Sequence, residues 1–285
     1  MNIVLMLLPA IAWGILPLAI AKIGGRPINQ IMGTALGTLI AGIIMLIITR
    51  PNIDLRSSLL AALAGAFWVI GQLGQYTGYE KIGVSKTMPI STGLQLVGTS
   101  LIGVLIFGEW SEATARIVGA IGIVLLVVGV LLTSIRDNKG SNKANSSTGT
   151  IVMLVCTTLG YLVYNAIPRA LSSSGLAIFL PESIGMVVAV LIYIIATRQY
   201  NVLKESSSFM NIIGGLVFSI AAITYILSVN RNGVNSAFVV SQLSVVISTV
   251  GGMVFLHERR TKKESYFTLS GLGLILVGAI VTTLI

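Results

Sequence analysis

At 285 residues, 55% hydrophobic and only 9% charged, the chain has too few charges to cover a soluble surface, since ordinary soluble domains carry about 25%. A mean hydropathy of +0.95 implies burial in lipid, where backbone groups must bond within helices or a closed barrel; long apolar runs, rather than alternating ten-residue segments, select helices. The net charge of +9 comes from Lys and Arg spread singly over the connections, so it reads as a topology signal and not as a nucleic-acid patch.

Ten helices are predicted, at 3–21, 29–49, 57–78, 85–108, 114–134, 150–169, 175–197, 209–229, 234–256 and 265–285. Most are near the roughly 20 residues that span hydrocarbon. The first carries Pro9, Trp13 and Pro17 at a spacing of four. Its prolines free backbone carbonyls, which are tolerated only against a cavity or protein neighbours. Its apolar run continues to Ala21 with no basic segment before it, so it reads as a span and not as a cleaved signal. Gly33 and Gly37 on the second helix, and Gly74 and Gly78 on the third, fit the small-xxx-small pattern of close helix packing.

The third helix carries the sharpest side-chain signal. Trp68, Gln72, Gln75, Tyr76 and Tyr79 fall within about one third of its circumference. Amides offer the donors and acceptors that hydroxyl groups need, and aromatic faces suit apolar C–H patches of a solute. The competing reading is amides bonding neighbouring helices, with Tyr79, near the helix end, in an interfacial belt. The fourth helix adds Ser91, Gln95 and Thr99 on one side. A polar, Ser/Asn-rich connection over 135–149 follows the fifth. The sixth offers Tyr161, Tyr164 and Asn165 within about 100° of arc, and Cys156, which reads as a small buried residue. On the eighth, the stripe equivalent to that of the third is Phe218, Ala222, Tyr225, Ile226 and Val229, so most hydrogen bonding is expected from the first half. The ninth adds Ser241 and Gln242. The single histidine, His257, lies in a connection. No metal, nucleophile or phosphate signature appears, so neither an enzyme nor a cofactor is expected.

The two halves of the chain resemble each other. Ile106-Phe107-Gly108-Glu109 in the first matches Phe255-Leu256-His257-Glu258 in the second at an offset of 149, with His257 where Gly108 would be. Gly83-Val84-Ser85 matches Gly233-Val234-Asn235 at 150, Ala19-Ile20-Ala21-Lys22 matches Ala166-Ile167-Pro168-Arg169 at 147, and Arg50 matches Arg198 at 148. The last pair maps Pro27, which opens the second helix, to position 175. Glu182 then lies seven residues inside the seventh helix, roughly 10 Å deep at 1.5 Å per residue. A carboxylate at that depth pays a desolvation cost that binding a proton relieves, which makes Glu182 the proton-coupling candidate.

Five helices per half is an odd number, so the second half enters the membrane inverted. The expected architecture is an all-α polytopic membrane protein of ten helices in two inverted five-helix repeats, 1–134 and 150–285, joined by the linker 135–149. Repeats of this kind build many secondary transporters, with the substrate between the halves near the midplane. Thirteen Lys and Arg lie in or beside the connections after the odd-numbered helices, against five for the even-numbered ones. The richer side should be cytoplasmic, placing the linker, including Asn142, inside and both termini outside.

Ten short helices in two inverted halves, the Gly-Glu element before the last helix of the first half, and Pro9-Ala10-Ile11-Ala12-Trp13-Gly14 followed by Lys22 resemble the drug/metabolite transporter superfamily. Trp13-Gly14, Gly71-Gln72-Leu73-Gly74-Gln75-Tyr76 and Phe107-Gly108-Glu109-Trp110 resemble its glucose/ribose porter family over the whole chain. The resemblance implies proton-coupled uptake of a neutral monosaccharide in the bacterial cytoplasmic membrane. The expected site combines Trp13, Trp68, Gln72, Gln75, Tyr76, Gln95, Tyr161, Asn165 and Gln242 with Glu182 as proton carrier, in a monomer or homodimer. The alternatives are an exporter of metabolites or drugs on the same fold, with a wider and more aromatic cavity, and a membrane scaffold with no central cavity. Whether the polar stripes of the first, third and sixth helices converge on one space separates the scaffold from the carriers.

Overall fold

The computed structural model describes residues 2–108, 110–135, 144–169, 171, 174–258 and 260–284. Glu109 and Asn142 lie outside the described residues. Among them are ten segments long and apolar enough to cross a membrane. The helices are α1 (Ile3–Ile23), α2 (Pro27–Thr49), α3 (Leu55–Ile82), α4 (Val84–Leu105), α5 (Ala113–Ser134), α6 (Ala144–Arg169), α7 (Gly175–Thr197), α8 (Ser206–Met210), α9 (Ile212–Asn232), α10 (Val234–Ser241), α11 (Leu243–Phe255) and α12 (Lys262–Thr283). The eighth span is α8 with α9, and the ninth is α10 with α11.

Local chemistry accounts for the ends. Asp54 caps α3 by accepting a 2.9 Å hydrogen bond from the Ser57 amide. Thr261 and Glu264 exchange side-chain and backbone bonds in a capping box that starts α12 at Lys262, three residues before the predicted start. The two spans that break do so at polar residues. Asn211 Nδ2 donates to the carbonyls of Gly24 (3.0 Å) and Ser207 (2.7 Å), tying the α8–α9 bend to the end of α1. At the α10–α11 bend the Gln242 side chain donates back to the Phe238 carbonyl at 3.4 Å. A bend inside a membrane needs such substitutes because lipid offers none.

Sequence-paired positions carry paired backbone conformations. Gly83 and Gly233 have φ of 83° and 82°, Arg50 and Arg198 of 42° and 55°, and Gly108 and His257 of 69° and 51°. His257 thus keeps the left-handed backbone of its glycine counterpart. Much of the packing pattern also recurs when the halves are exchanged. α3 packs on α6 and α7 as α9 packs on α1 and α2; α4 meets α6 as α10 and α11 meet α1; α2 meets α7, and α5 meets α12.

Contacts at the α3–α7 crossing are backbone to backbone. A Cβ at Gly65 would overlap the Glu182 carbonyl oxygen, and one at Gly185 would overlap that of Ala62. Gly33 and Gly37 approach Asn211 and Ile212 in the same way, and Gly74 approaches Thr157. Close approach of this kind holds helices together where lipid tails are as apolar as the side chains. The main core gathers Ile20, Ile31, Trp68, Tyr76, Tyr161, Met186 and Phe218; a second, around Leu126 and Ile275, joins α4, α5, α6 and α12. The outer faces are apolar too, as on α2, where Ile40, Ile43, Ile44, Ile47 and Ile48 are all exposed. Cys156 is exposed, contrary to the expectation of burial. Its neighbours Val155 and Leu159 are exposed as well, so this stretch of α6 forms an outer, lipid-facing surface where hydropathy resembles that of a core.

Candidate functional site

A cavity of about 490 Å³ lies between the halves, within the range of roughly 300–1,000 Å³ typical of small-molecule sites. α1 brings Trp13 and Pro17 to it, α3 brings Trp68, Gln72 and Gln75, α4 brings Gln95, α6 brings Tyr161 and Asn165, α7 brings Glu182, and the bend after α10 brings Gln242. The stripes of the first, third and sixth helices therefore converge on one space. Tyr76 does not line it. This side chain is fully buried and its hydroxyl lies 2.9 Å from Thr34 Oγ1, joining α3 to α2. A larger groove of about 840 Å³ is lined by Phe67, Ile70, Leu73, Ile192 and Tyr193. Arg26, Glu80 and Gln199 also line it, and Ile70 and Ile192 belong to the exposed outer surface, so that groove opens on the outside of the bundle.

The polar side chains of the cavity hold one another. The Tyr161 hydroxyl is 2.7 Å from Gln72 Oε1 and 2.9 Å from Gln75 Oε1. Gln72 Nε2 donates to Gln75 Oε1 at 3.1 Å, and Gln75 Nε2 donates to Ser91 Oγ at 3.1 Å. Ser91 also accepts from Gln95 Nε2 at 3.3 Å. The amides are thereby oriented before any solute arrives, and each keeps donor or acceptor capacity for one. Trp68 lies against Phe218 with ring centroids 4.9 Å apart, and Trp13 against Tyr225 at 5.4 Å. All four rings line the cavity and give it apolar wall beside the amides.

Glu182 is 6% exposed although it lines the cavity. α7 begins at Gly175 behind the Ser174 cap, and Pro181 is inside the helix, so the depth inferred from the Arg50–Arg198 pairing holds. No hydrogen bond or ion pair within the described residues reaches its carboxyl group. One ion pair, Arg26 to Glu205 at 2.7 Å, is found among the described residues, far along the chain at the start of α2.

Two expectations change. Tyr79 is not in an interfacial belt: it is 9% exposed, lines the cavity, and its hydroxyl donates to Met88 Sδ at 3.0 Å. Polar groups also come from both halves, because Tyr161, Tyr164, Asn165, Glu182 and Gln242 stand opposite Gln72, Gln75 and Gln95. The eighth helix is poor in polar groups, as its stripe predicts, but the candidates on the sixth, seventh and ninth helices supply the second half's share. Met88, Thr92, Phe179 and Phe238 line the cavity without having been singled out. The polar stripe of the fourth helix extends from Ser91 to Thr92 and was the available signal for that residue; the apolar three carry none that separates them from core.

The cavity has an open and a closed end. Val234 on its rim is 60% exposed, whereas Tyr79 and Met88 at the other end are buried beneath Val84 and Ser85. Ten membrane-spanning helices around a solute-sized cavity of amides, aromatics and one buried carboxyl define a multi-pass membrane protein equipped to hold a small polar solute. Residues 4–285 match the family described as sugar transport protein, and the chain belongs to that family. Relatives include a Lactobacillus johnsonii protein named for sugar uptake, 51% identical over all of both chains. A Latilactobacillus sakei protein named for ribose uptake is 40% identical over 100% of this chain and 98% of its own. The glucose uptake protein GlcU of Bacillus subtilis is 38% identical over 98% of this chain and 97% of its own. A solved crystal structure with 16% sequence identity covers 99% of this chain and 96% of its own at a TM-score of 0.64, which is a likeness of fold.

Proposed function

We propose that this protein imports a neutral monosaccharide across the bacterial cytoplasmic membrane, coupled to protons, by exposing the central cavity alternately to each side. The observation that carries the reading is the amide network. Gln72 and Gln75 are buried, oriented by Tyr161 and walled by tryptophans, an arrangement suited to a ring with hydroxyls on its edge and C–H groups on its faces. An exporter of apolar drugs has no use for paired amides. The two halves, 1–134 and 150–285, move about the cavity as inverted repeats, which the paired backbone conformations and largely exchange-symmetric packing support. Glu182 carries the coupling proton. Glucose and ribose are the sugars to compare, since relatives carry both names.

Radiolabelled sugar uptake into proteoliposomes tests this. Accumulation above equilibrium is expected with an inward proton gradient, and only equilibration without one. Failure to accumulate either sugar under the gradient overturns the proton-coupled reading. The basic bias further assigns the connection after α7 to the cytoplasm. A cysteine at exposed Lys204, in a Cys156→Ser background, is expected to resist an impermeant thiol reagent on intact cells and to react in inverted vesicles. The reverse pattern inverts the topology.

A further inference from the structure

The two ends of the cavity differ in exposure, and at the closed end a polar contact joins the halves. At the closed end, the chain leaving α11 turns back through left-handed His257 and places Glu258 on the first turn of α4. Glu258 Oε1 accepts from the Val84 amide at 2.6 Å; Oε2 accepts from the Ser85 amide at 2.9 Å and from the Ser85 hydroxyl. Arg260 reinforces the join, donating from Nε to Ser85 Oγ at 3.0 Å and from Nη1 to Thr268 Oγ1 at 2.8 Å. The contact spans 174 positions in sequence between Val84 and Glu258, so it ties the second half to the first. Gly83 makes room for it: a Cβ there would stand 2.8 Å from the Glu258 carboxyl carbon. Val84 and Ser85 are buried under it, and one turn further on stands Met88, which with Tyr79 closes the cavity.

The counterpart at the other end is Gly233, at the start of α10. Its φ and ψ of 82° and 158° match the 83° and 161° of Gly83. Among the described residues nothing lies within 4 Å of where its Cβ would be, and Val234 is exposed on the cavity rim. The closed end carries a capped helix start, whereas at the open end the equivalent residue, Val234, is exposed.

We propose that Glu258 is a latch. By capping α4 it holds the Gly83 face of the carrier shut, and its release frees the first turn of α4 to move away from α11 and open the cavity on that face. A carboxylate suits the role because it satisfies several amides at a helix start, where the macrodipole also favours negative charge, yet leaves no covalent tie. The idea rests on the alternating-access reading above.

The test reads sidedness and needs no sugar or proton gradient. Thr92→Cys in a Cys156→Ser background puts a near-isosteric thiol on the cavity wall, and Lys204→Cys calibrates which vesicle face is which. The parent is expected to label faster from the Gly233 face. Glu258→Ala should raise labelling from the Gly83 face roughly tenfold, as loss of a charge-assisted cap shifts the population. Ser85→Ala, which keeps the carboxylate and removes one partner, should move it in the same direction by less, and serves if Glu258→Ala does not fold. A static cap predicts lower thermal stability with unchanged sidedness; folded variants that label as the parent does overturn the latch. A wild-type protein that moves no sugar, with the labelling shift intact, overturns the sugar reading alone.

Discussion

Glu182→Gln is expected to abolish uphill sugar accumulation while leaving exchange between equal sugar pools in place. Glu182 lines the cavity, is 6% exposed and has no hydrogen-bond or ion-pair partner within the described residues. A bare charge in that position is costly, and binding a proton removes the cost. Proton binding therefore favours whatever motion carries the side chain through the closed, dry form of the site. Glutamine keeps the shape of the protonated acid but neither takes up nor releases the proton. The variant should thus exchange labelled for unlabelled sugar, yet show no response of the steady-state level to an imposed pH gradient. A Glu182→Gln carrier that still concentrates sugar with the gradient sinks the assignment and turns attention to Glu109 and Glu258. Loss of exchange together with accumulation, in a protein that remains monodisperse, assigns Glu182 a part in solute binding instead.

Gln72→Leu and Gln75→Leu are expected to weaken apparent sugar affinity by roughly five- to 150-fold, the equivalent of about 1–3 kcal/mol for a hydrogen bond lost in a desolvated site. Each change keeps bulk and removes a polar head. Gln75 sits at the centre of the network, accepting from Tyr161 and Gln72 and donating to Ser91, so its loss also leaves those groups to find new partners. Tyr161→Phe isolates orientation from contact. It retains the ring that packs on Gly71 and removes the hydroxyl that bridges both amides; its effect should be smaller than that of either glutamine. Phe267→Leu, on α12 away from the cavity lining, controls for a change of size within a helix. Initial-rate uptake at graded sugar concentrations measures all four. Unchanged apparent affinity in correctly inserted Gln72→Leu and Gln75→Leu proteins shows the amide row to be interhelical glue.

Much of this protein was legible in one dimension because lipid makes simple demands. Every span must bury its own backbone polar groups, so apolar runs of about 20 residues declare themselves. The seventh helix, predicted at 175–197, is α7 at Gly175–Thr197, bracketed by the Ser174 cap and left-handed Arg198. Polar residues are rare enough in such runs that those present mark the interior: nine of the ten side chains selected for the site or for coupling line one cavity. Pairing Arg50 with Arg198 also placed Glu182 at its depth, which hydropathy alone leaves ambiguous beside Pro181.

Facing directions were settled only by tertiary contact. In water, an amphipathic stripe separates core from surface; in lipid, both faces of a span are apolar, so hydropathy did not place Cys156 outside, and Tyr79, on the stripe of Gln72 and Gln75 but near the helix end, fitted cavity and belt alike. The bends at Asn211 and Gln242 depend on whether a polar side chain finds the freed carbonyl, and Asn211 finds that of Gly24, 187 positions away. Likewise, Glu258 stood in the sequence as half of a repeated Gly-Glu element, but its seat on Val84 and Ser85 exists only because packing brings α11 to the start of α4. Composition and periodicity determined the spans and the residues costly to leave in lipid; packing between the halves decided which of them meet, because that depends on distances between residues remote in sequence.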